Sequence, residues 1–179
     1  KEAGFTRLYE GEKWNLEAGC GYYVTRNDSA LIAFQIPKQD FAGFQIMASH
    51  SDSPVFKIKA NAEIAVENQY VKLNVEKYGG MICSTWLDRP LSVAGRVIVR
   101  TADGIATKLV NVDRDLMIIP NLAIHMNRQV NDGYAFNAQK DMLPLFCEAA
   151  EKQVKGCFTE LIANEAGVTA EDILDMDMF

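Results

Sequence analysis

The sequence predicts an α/β domain followed by a β-rich domain that ends in helices, and three patterns carry this prediction. Residues 43–48 form a largely apolar run, which is typical of a strand buried on both faces of a central sheet. From Phe56 onward apolar and charged residues alternate, which is typical of half-buried antiparallel strands. A helical stripe of apolar residues follows near the end of the chain. We therefore predict one domain over residues 1–58 and a second over residues 59–179.

The first domain is predicted to contain a hairpin and a buried strand. Two β-rich runs, residues 21–25 and 30–34, flank the turn-forming tetrad Arg26-Asn27-Asp28-Ser29. The third strand, residues 43–48, runs directly toward His50. Ligands gather beyond the carboxyl ends of strands in α/β sheets, so this position favours a functional role for His50.

The second domain is predicted to be a small barrel or sandwich, because short strands follow one another with turns between them. Pro120 ends the last of these strands, and Asn121 can cap a helix that runs through Met126 and carries His125. The predicted strands are residues 56–59, 71–76, 95–100, 108–112 and 116–119.

Helices are predicted for the C-terminal part of the chain. Gly156 interrupts the pattern, and a glycine inside a helix costs about 1 kcal/mol, so we expect a break near it. Gly167 ends the helix, and Thr169 can cap a new one. The apolar stripe consists of Ala150, Val154, Cys157, Phe158, Leu161 and Ile162.

Composition excludes several classes of protein. Eighteen basic and 24 acidic residues give a net charge of −6, without a block of like charge that would indicate nucleic-acid binding. No apolar run is long enough to predict a membrane span, and no secretion signal is seen. The four cysteines show no Cys-x-x-Cys spacing, so we expect reduced thiols.

The chain has only two histidines, and His50 is the stronger metal-ligand candidate. An imidazole is a good zinc ligand, and Asp52, two residues later, can hold the second ring nitrogen or steady the loop. His125 lies among apolar neighbours, where a histidine by itself is more often a hydrogen-bonded core residue. A thiol nucleophile formed by Cys83 and His125 has no support from the residues that flank them.

Several short motifs occur in a fixed order along the chain. The first is His50-Ser51-Asp52-Ser53-Pro54. The others are Tyr78-Gly79-Gly80, Thr85-Trp86-Leu87-Asp88-Arg89-Pro90-Leu91-Ser92-Val93-Ala94-Gly95-Arg96-Val97, Ile119-Pro120-Asn121-Leu122-Ala123-Ile124-His125-Met126-Asn127-Arg128, Phe136-Asn137-Ala138-Gln139-Lys140 and Glu171-Asp172-Ile173-Leu174-Asp175. Separated blocks in one order are much more specific than any single block.

This ordered series resembles the aspartyl aminopeptidase family of dinuclear zinc exopeptidases over essentially the whole chain. The resemblance implies the first part of a zinc-exopeptidase-like α/β catalytic domain, followed by a β-rich, barrel-like dimerisation domain with C-terminal helices. It implies a cytoplasmic enzyme that releases N-terminal residues, acidic ones in the best-known members, from peptide substrates. Members of the family use two Zn²⁺ ions per subunit and assemble from dimers into dodecamers.

The resemblance also assigns site residues. His50 would be a zinc ligand, Asp52 would orient it, and His125 would reach the active site of the partner subunit. The remaining ligands and the general base would lie beyond Phe179, so we expect an internal fragment of a longer protein that is inactive alone. The alternative is a non-catalytic oligomerisation or interaction module.

Two other motifs are interpreted as structural. Trp86-Leu87-Asp88-Arg89 could form a substrate wall, but a packed corner of the β-rich domain is the preferred interpretation. Tyr78-Gly79-Gly80 lacks the Lys-Ser/Thr pair and the following helix of a phosphate-binding loop, so we expect a tight turn or bulge.

Overall fold

The computed structural model of the protein describes residues 3–27, 29–149 and 155–179. The predictions that concern Lys1, Glu2, Asp28, Ala150 and Val154 therefore lie outside the described residues. The chain divides into two units, Lys1–Ser51 and Asp52–Phe179. Residue 58, the predicted end of the first domain, lies within a strand of the second unit, Val55–Val66.

The first unit contains a three-stranded sheet formed by β1 (Thr6–Arg7), β2 (Gly21–Arg26) and β3 (Ala30–Gln35). Strand β2 is central, parallel to β1 and antiparallel to β3. The predicted hairpin is thereby confirmed. Tyr22 and Val24 bury their side chains on one face of β2. The hydroxyl of Tyr22 accepts a hydrogen bond from the backbone N–H of Glu17 at 2.9 Å.

The predicted strand over residues 43–48 is wrong, because this segment has no regular secondary structure. Its apolar side chains face outward, with Phe44 and Ile46 each 84% exposed and Met47 98% exposed. A strand needs a neighbour to pair its backbone N–H and C=O groups. No strand in the described part of the chain pairs with this segment, so its apolar character alone does not produce a strand.

In its described residues the second unit contains two three-stranded sheets and one α-helix. The sheets have the strand orders β4-β5-β8 and β7-β6-β9, and all pairs within them are antiparallel. The described strands therefore form two sheets rather than a closed barrel. The elements are β4 (Val55–Val66), β5 (Tyr70–Tyr78), β6 (Ala94–Thr101), β7 (Gly104–Asn111), β8 (Leu145–Glu148), α1 (Cys157–Ala166) and β9 (Ile173–Met178).

Both sheets and α1 contribute to one hydrophobic core. The alternation predicted from the sequence is confirmed, because every second side chain of β4, β5 and β6 is buried over the predicted runs. Complete burial of each such aliphatic or aromatic side chain contributes roughly 1.5–3 kcal/mol. The core includes Leu73, Val75, Val97, Val99, Phe158 and Ile162.

An ion pair joins the edge strands of the two sheets. The Nζ atom of Lys57 on β4 lies 2.8 Å from Oδ1 of Asp177 on β9. The hydrogen bond to Asp177 raises the pKa of Lys57 above its ordinary value. The pair thus favours the charged form of Lys57 and links β4 to β9.

Helix α1 begins after Gly156 and ends before Gly167, as the sequence predicts for both glycines. Gly156 has φ of 97° and Gly167 has φ of 63°, a conformation that glycine adopts without steric cost. Gly156 has no side chain to cap the helix, and Glu63 of β4 performs this role. The described helix buries Phe158, Ile162 and Ala163.

Three other predictions of secondary structure require correction. Residues 117–119 form isolated bridges to Leu91, Leu145 and Leu87 rather than a strand. Thr169 precedes only a short 3₁₀ turn, Ala170–Asp172, and then β9, because pairing with β6 outweighs the local helix signal.

The helix predicted from Asn121 through Met126 is a turn. Leu122, Ile124 and Met126 are 58%, 47% and 76% exposed, so no buried face compensates for helix nucleation.

No helix in the parts of the chain that the structure describes is long and apolar enough to cross a membrane.

Gly95 is essential to the pairing of β6 with β9. A β-carbon there would overlap the carbonyl oxygen of Asp177 and lie 2.8 Å from Cα of Met178. These are backbone atoms of the paired strand, so they cannot move aside without breaking the ladder. We expect Gly95→Ala to lower the free energy of unfolding by about 3 kcal/mol, measured by urea denaturation.

Gly80→Ala is the matched control, because a β-carbon at Gly80 meets nothing within 4 Å. Its free energy of unfolding should stay within about 0.5 kcal/mol of the parent chain. Equal unfolding midpoints for the two variants would show that β9 adjusts to a larger residue at position 95.

Candidate active site

His50 lies in an irregular, exposed segment of the first unit. The predicted strand before it is absent, so a strand end does not present this histidine. Its exposure nevertheless leaves the imidazole accessible to an incoming ligand. His50 belongs to Lys1–Ser51, whereas Asp52 and His125 belong to Asp52–Phe179.

Asp52 is exposed and comes just before β4 in the second unit. Pro54, from the same motif, lies against the Tyr78-Gly79-Gly80 turn. A β-carbon on Gly79 would be 3.4 Å from Cα of Pro54, and Gly79 has φ of 83°. Residues 79–80 form a bend directly after β5, and glycine lets this bend approach the segment that follows Asp52 closely.

His125 lies in an exposed turn, residues 124–126, that follows an anchored segment. Oδ1 of Asp88 accepts a hydrogen bond from the backbone N–H of Asn121 at 2.8 Å. The backbone N–H of Asp88 donates to the carbonyl of Ile119 at 2.9 Å. Asp88 thus ties the Trp86-Leu87-Asp88-Arg89 motif to the chain just before His125. The exposed histidine is not the core residue that its apolar neighbours would predict.

Trp86 supports the structural interpretation of its motif. Its ring meets the ring of Phe56 edge to face, with centroids 5.1 Å apart. Phe56 belongs to the buried core, and Trp86 is partly buried against it. Asp88 and Trp86 therefore fix a corner of the second unit. Along the chain, the exposed turn with His125 begins shortly after the backbone that Asp88 holds.

A small cavity of about 140 Å³ lies beside the segment that carries His125. Asp141 organises one wall of this cavity: its Oδ2 accepts hydrogen bonds from the Tyr134 hydroxyl at 3.1 Å and from the backbone N–H of Asn137 at 2.7 Å. The hydrogen bond to Asp141 raises the pKa of Tyr134. The lining also includes Lys72, Asn121, Leu122 and Lys140, so positive and negative groups both face the space.

The described residues do not form a complete zinc site. Among residues 3–27, 29–149 and 155–179, no three side chains of the His, Cys, Asp or Glu type are grouped so that they could hold a metal ion. Zinc in proteins takes three or four such ligands. The described side chains therefore do not fit a zinc ion by themselves.

Solved structures similar to this chain include the following two. The Ape4 chain in the cryo-EM structure of the Ape4 and Nbr1 complex has a TM-score of 0.85 and 36% identity, and the match covers 99% of this chain and 38% of that one. The mApe1 of Chaetomium thermophilum has a TM-score of 0.81 and 29% identity, with 99% of this chain and 43% of that chain covered.

A curated relative from Clostridium acetobutylicum, named "Probable M18 family aminopeptidase 2", is 49% identical over 183 residues. The match covers 99% of this chain and 42% of that protein, so the chain spans less than half the length of this relative. Together with the fold, these similarities place the chain among metallopeptidases of the aminopeptidase type.

A family model described as aminopeptidase I zinc metalloprotease (M18) matches residues 1–179. The chain belongs to this family. The resemblance inferred from the ordered motifs is confirmed at this level.

Sequence reasoning missed the role of Glu63, which connects β4 to the first turn of α1. The only signal was indirect: Gly156 and Cys157 begin a helix without a Ser, Thr, Asp or Asn cap of their own. A helix start without a local cap needs an acceptor from elsewhere, but the sequence does not say which residue supplies it.

Proposed function

We propose that the complete protein is a zinc-dependent aminopeptidase that releases N-terminal residues, acidic ones among them, from peptides. The match of the family model to all 179 residues carries this proposal. In this proposal His50 supplies one metal ligand, and Asp52 orients that histidine. Their spacing in the sequence, the exposure of both residues and the membership of the family support these assignments.

This chain supplies binding and positioning groups rather than a whole catalytic centre. In this proposal His50 offers an imidazole nitrogen to the metal, and the carboxylate of Asp52 fixes the orientation of that histidine. Zinc, when bound in the complete protein, would polarise the scissile carbonyl and activate water. No step of the reaction is assigned to His50 or Asp52 beyond holding and orienting.

We further propose that residues 1–58 belong to the catalytic domain and residues 59–179 to the dimerisation domain of a cytoplasmic homo-oligomer, built from dimers. Exposed apolar side chains on β7, an edge strand, support an assembly surface. Ile105 is 72% exposed and Leu109 is 85% exposed. Strand β7 pairs only with β6 among the described strands, so its other edge has no strand partner there.

The isolated chain should bind zinc poorly and have no peptidase activity, whereas the complete protein should bind two divalent metals per subunit. One histidine cannot hold a dinuclear site, and the described residues provide no three-ligand group. Metal content by mass spectrometry and turnover of glutamyl-, aspartyl- and leucyl-nitroanilides measure the two properties in parallel. Clear turnover by the purified chain would contradict the proposal.

The second candidate is a non-catalytic oligomerisation module, which the absence of a complete ligand group among the described residues favours. The same experiment separates the two candidates. Such a module would leave the complete protein without stoichiometric metal and without aminopeptidase activity, yet still assembled by light scattering.

A further inference from the structure

The first turn of α1 is held by one carboxylate from β4. Oε2 of Glu63 accepts a hydrogen bond from the backbone N–H of Gly156 at 2.6 Å, and Oε1 accepts one from Phe158 at 2.6 Å. These bonds satisfy N–H groups that have no partner within the helix. They also fix the position of Cys157, the first residue of α1.

Cys157 faces a second cysteine, Cys147 on β8. The two Sγ atoms are 3.9 Å apart, and Sγ of Cys157 lies 3.1 Å from Oε1 of Glu63. A disulfide has an S–S length of about 2.05 Å, so the sulfurs must approach by about 2 Å for the bond to form. Both thiols are free and only partly buried.

Cys147 is also accessible from the surface. It lines an open cavity of about 470 Å³ between β8 and residues 115–118. A small oxidant such as a peroxide can therefore approach this residue. The sulfur of Cys157 lies against the carboxylate of Glu63.

We propose that Cys147 and Cys157 are a reversible oxidation site that a peroxide converts to a disulfide, with Glu63 as the proton acceptor. The Cys147 thiol gives up its proton as its sulfur attacks one peroxide oxygen, the O–O bond breaks, and the leaving hydroxide takes that proton to form water. Cys147 is thereby oxidised to a sulfenic acid, and the peroxide is reduced.

In the second step the disulfide forms. The sulfur of Cys157 attacks the sulfenic sulfur of Cys147, the S–S bond forms, and the S–O bond breaks. Glu63 takes the thiol proton of Cys157 and returns it to the leaving hydroxide as water. Two thiols and one hydrogen peroxide thus give one disulfide and two waters.

The order of the two steps follows from the surroundings of each thiol. Burial, and then the neighbouring Glu63, raise the pKa of Cys157 to about 12. Cys157 therefore stays protonated near neutral pH and is a poor first nucleophile. It becomes reactive only when Glu63 removes its proton as the S–S bond forms.

The test uses the complete protein, reduced, desalted and treated with stoichiometric hydrogen peroxide. We expect an intact mass lower by two hydrogen atoms, a linked peptide pair containing Cys147 and Cys157, and full reversal by dithiothreitol. The bond joins β8 to the start of α1, so the melting temperature should rise by about 5 °C. Sulfinic or sulfonic products without this link, or no reaction, would overturn the proposal.

Four variants separate this pair from the other thiols. Cys147→Ser and Cys157→Ser should each abolish the link, whereas Cys20→Ser and Cys83→Ser should retain it. Glu63→Gln should slow closure by about tenfold or more, because an amide cannot accept the thiol proton. The sulfenic acid of Cys147 should then accumulate, and dimedone traps it. A link that involves Cys20 or Cys83, or closure at the parent rate in Glu63→Gln, would count against the mechanism.

Discussion

Replacing His50 with alanine in the complete protein is expected to lower aminopeptidase turnover by about a hundredfold or more and to reduce bound zinc. The proposed role of His50 as a metal ligand is the reason. A metal that polarises a carbonyl supplies several kcal/mol of transition-state stabilisation, and each 1.36 kcal/mol is a factor of ten in rate. Steady-state kinetics and metal analysis of the same preparation measure both effects.

Two variants calibrate this result. Asp52→Asn should keep the fold and lower metal affinity or turnover by about tenfold, because it weakens the orientation of a ligand without removing one. Gln45→Ala is the matched control, since Gln45 is exposed in the same irregular segment as His50. It should behave like the parent protein. Near-parental turnover and metal content in His50→Ala would show that His50 is not a ligand.

Mixing two inactive proteins, His50→Ala and His125→Ala, is expected to restore part of the activity. The proposal is that His125 acts in the active site of the partner subunit, so a mixed dimer has one site with both an intact His50 and an intact His125. The exposed turn at residues 124–126, anchored through Asp88 and Asn121, presents the imidazole for such a role. Random exchange should restore roughly a quarter of the parental activity, because half of the dimers are mixed and each has one complete site.

Subunit exchange must be confirmed by native mass spectrometry before the activity is compared. Residues that act in the same subunit do not complement in this way. Exchanged mixtures that stay as inactive as their parents would show that His125 does not work across the interface.

The sequence predicted the elements whose determinants are local. The β2–β3 hairpin, the alternation in β4 and β5 and the end of α1 at Gly167 all follow from residues within a few positions of one another. The errors occur where a distant partner decides. Residues 43–48 have the composition of a buried strand but no strand to pair with among the described residues, and residues 173–178 form β9 because β6 is available.

The candidate site shows the same difference between local determinants, which the sequence reveals, and distant contacts, which it does not. Motif order was enough to identify the family and to single out His50, Asp52 and His125. The sequence could not show that Asp88 holds the backbone before His125, because these residues are far apart along the chain. It also could not pair Cys147 with Cys157, since a ten-residue separation carries no recognisable spacing. Such contacts depend on how the sheets and α1 pack.

The pairing of β6 with β9 also sets an order of events during synthesis. Strand β6 ends at Thr101, whereas β9 begins at Ile173. A ribosome adds about 5–20 residues per second, so the β6–β7 hairpin waits for several seconds before its third strand exists. During that interval the edge of β6 that later pairs with β9 has no partner and can pair with other nascent chains. We therefore expect the β6–β7 hairpin to need a chaperone.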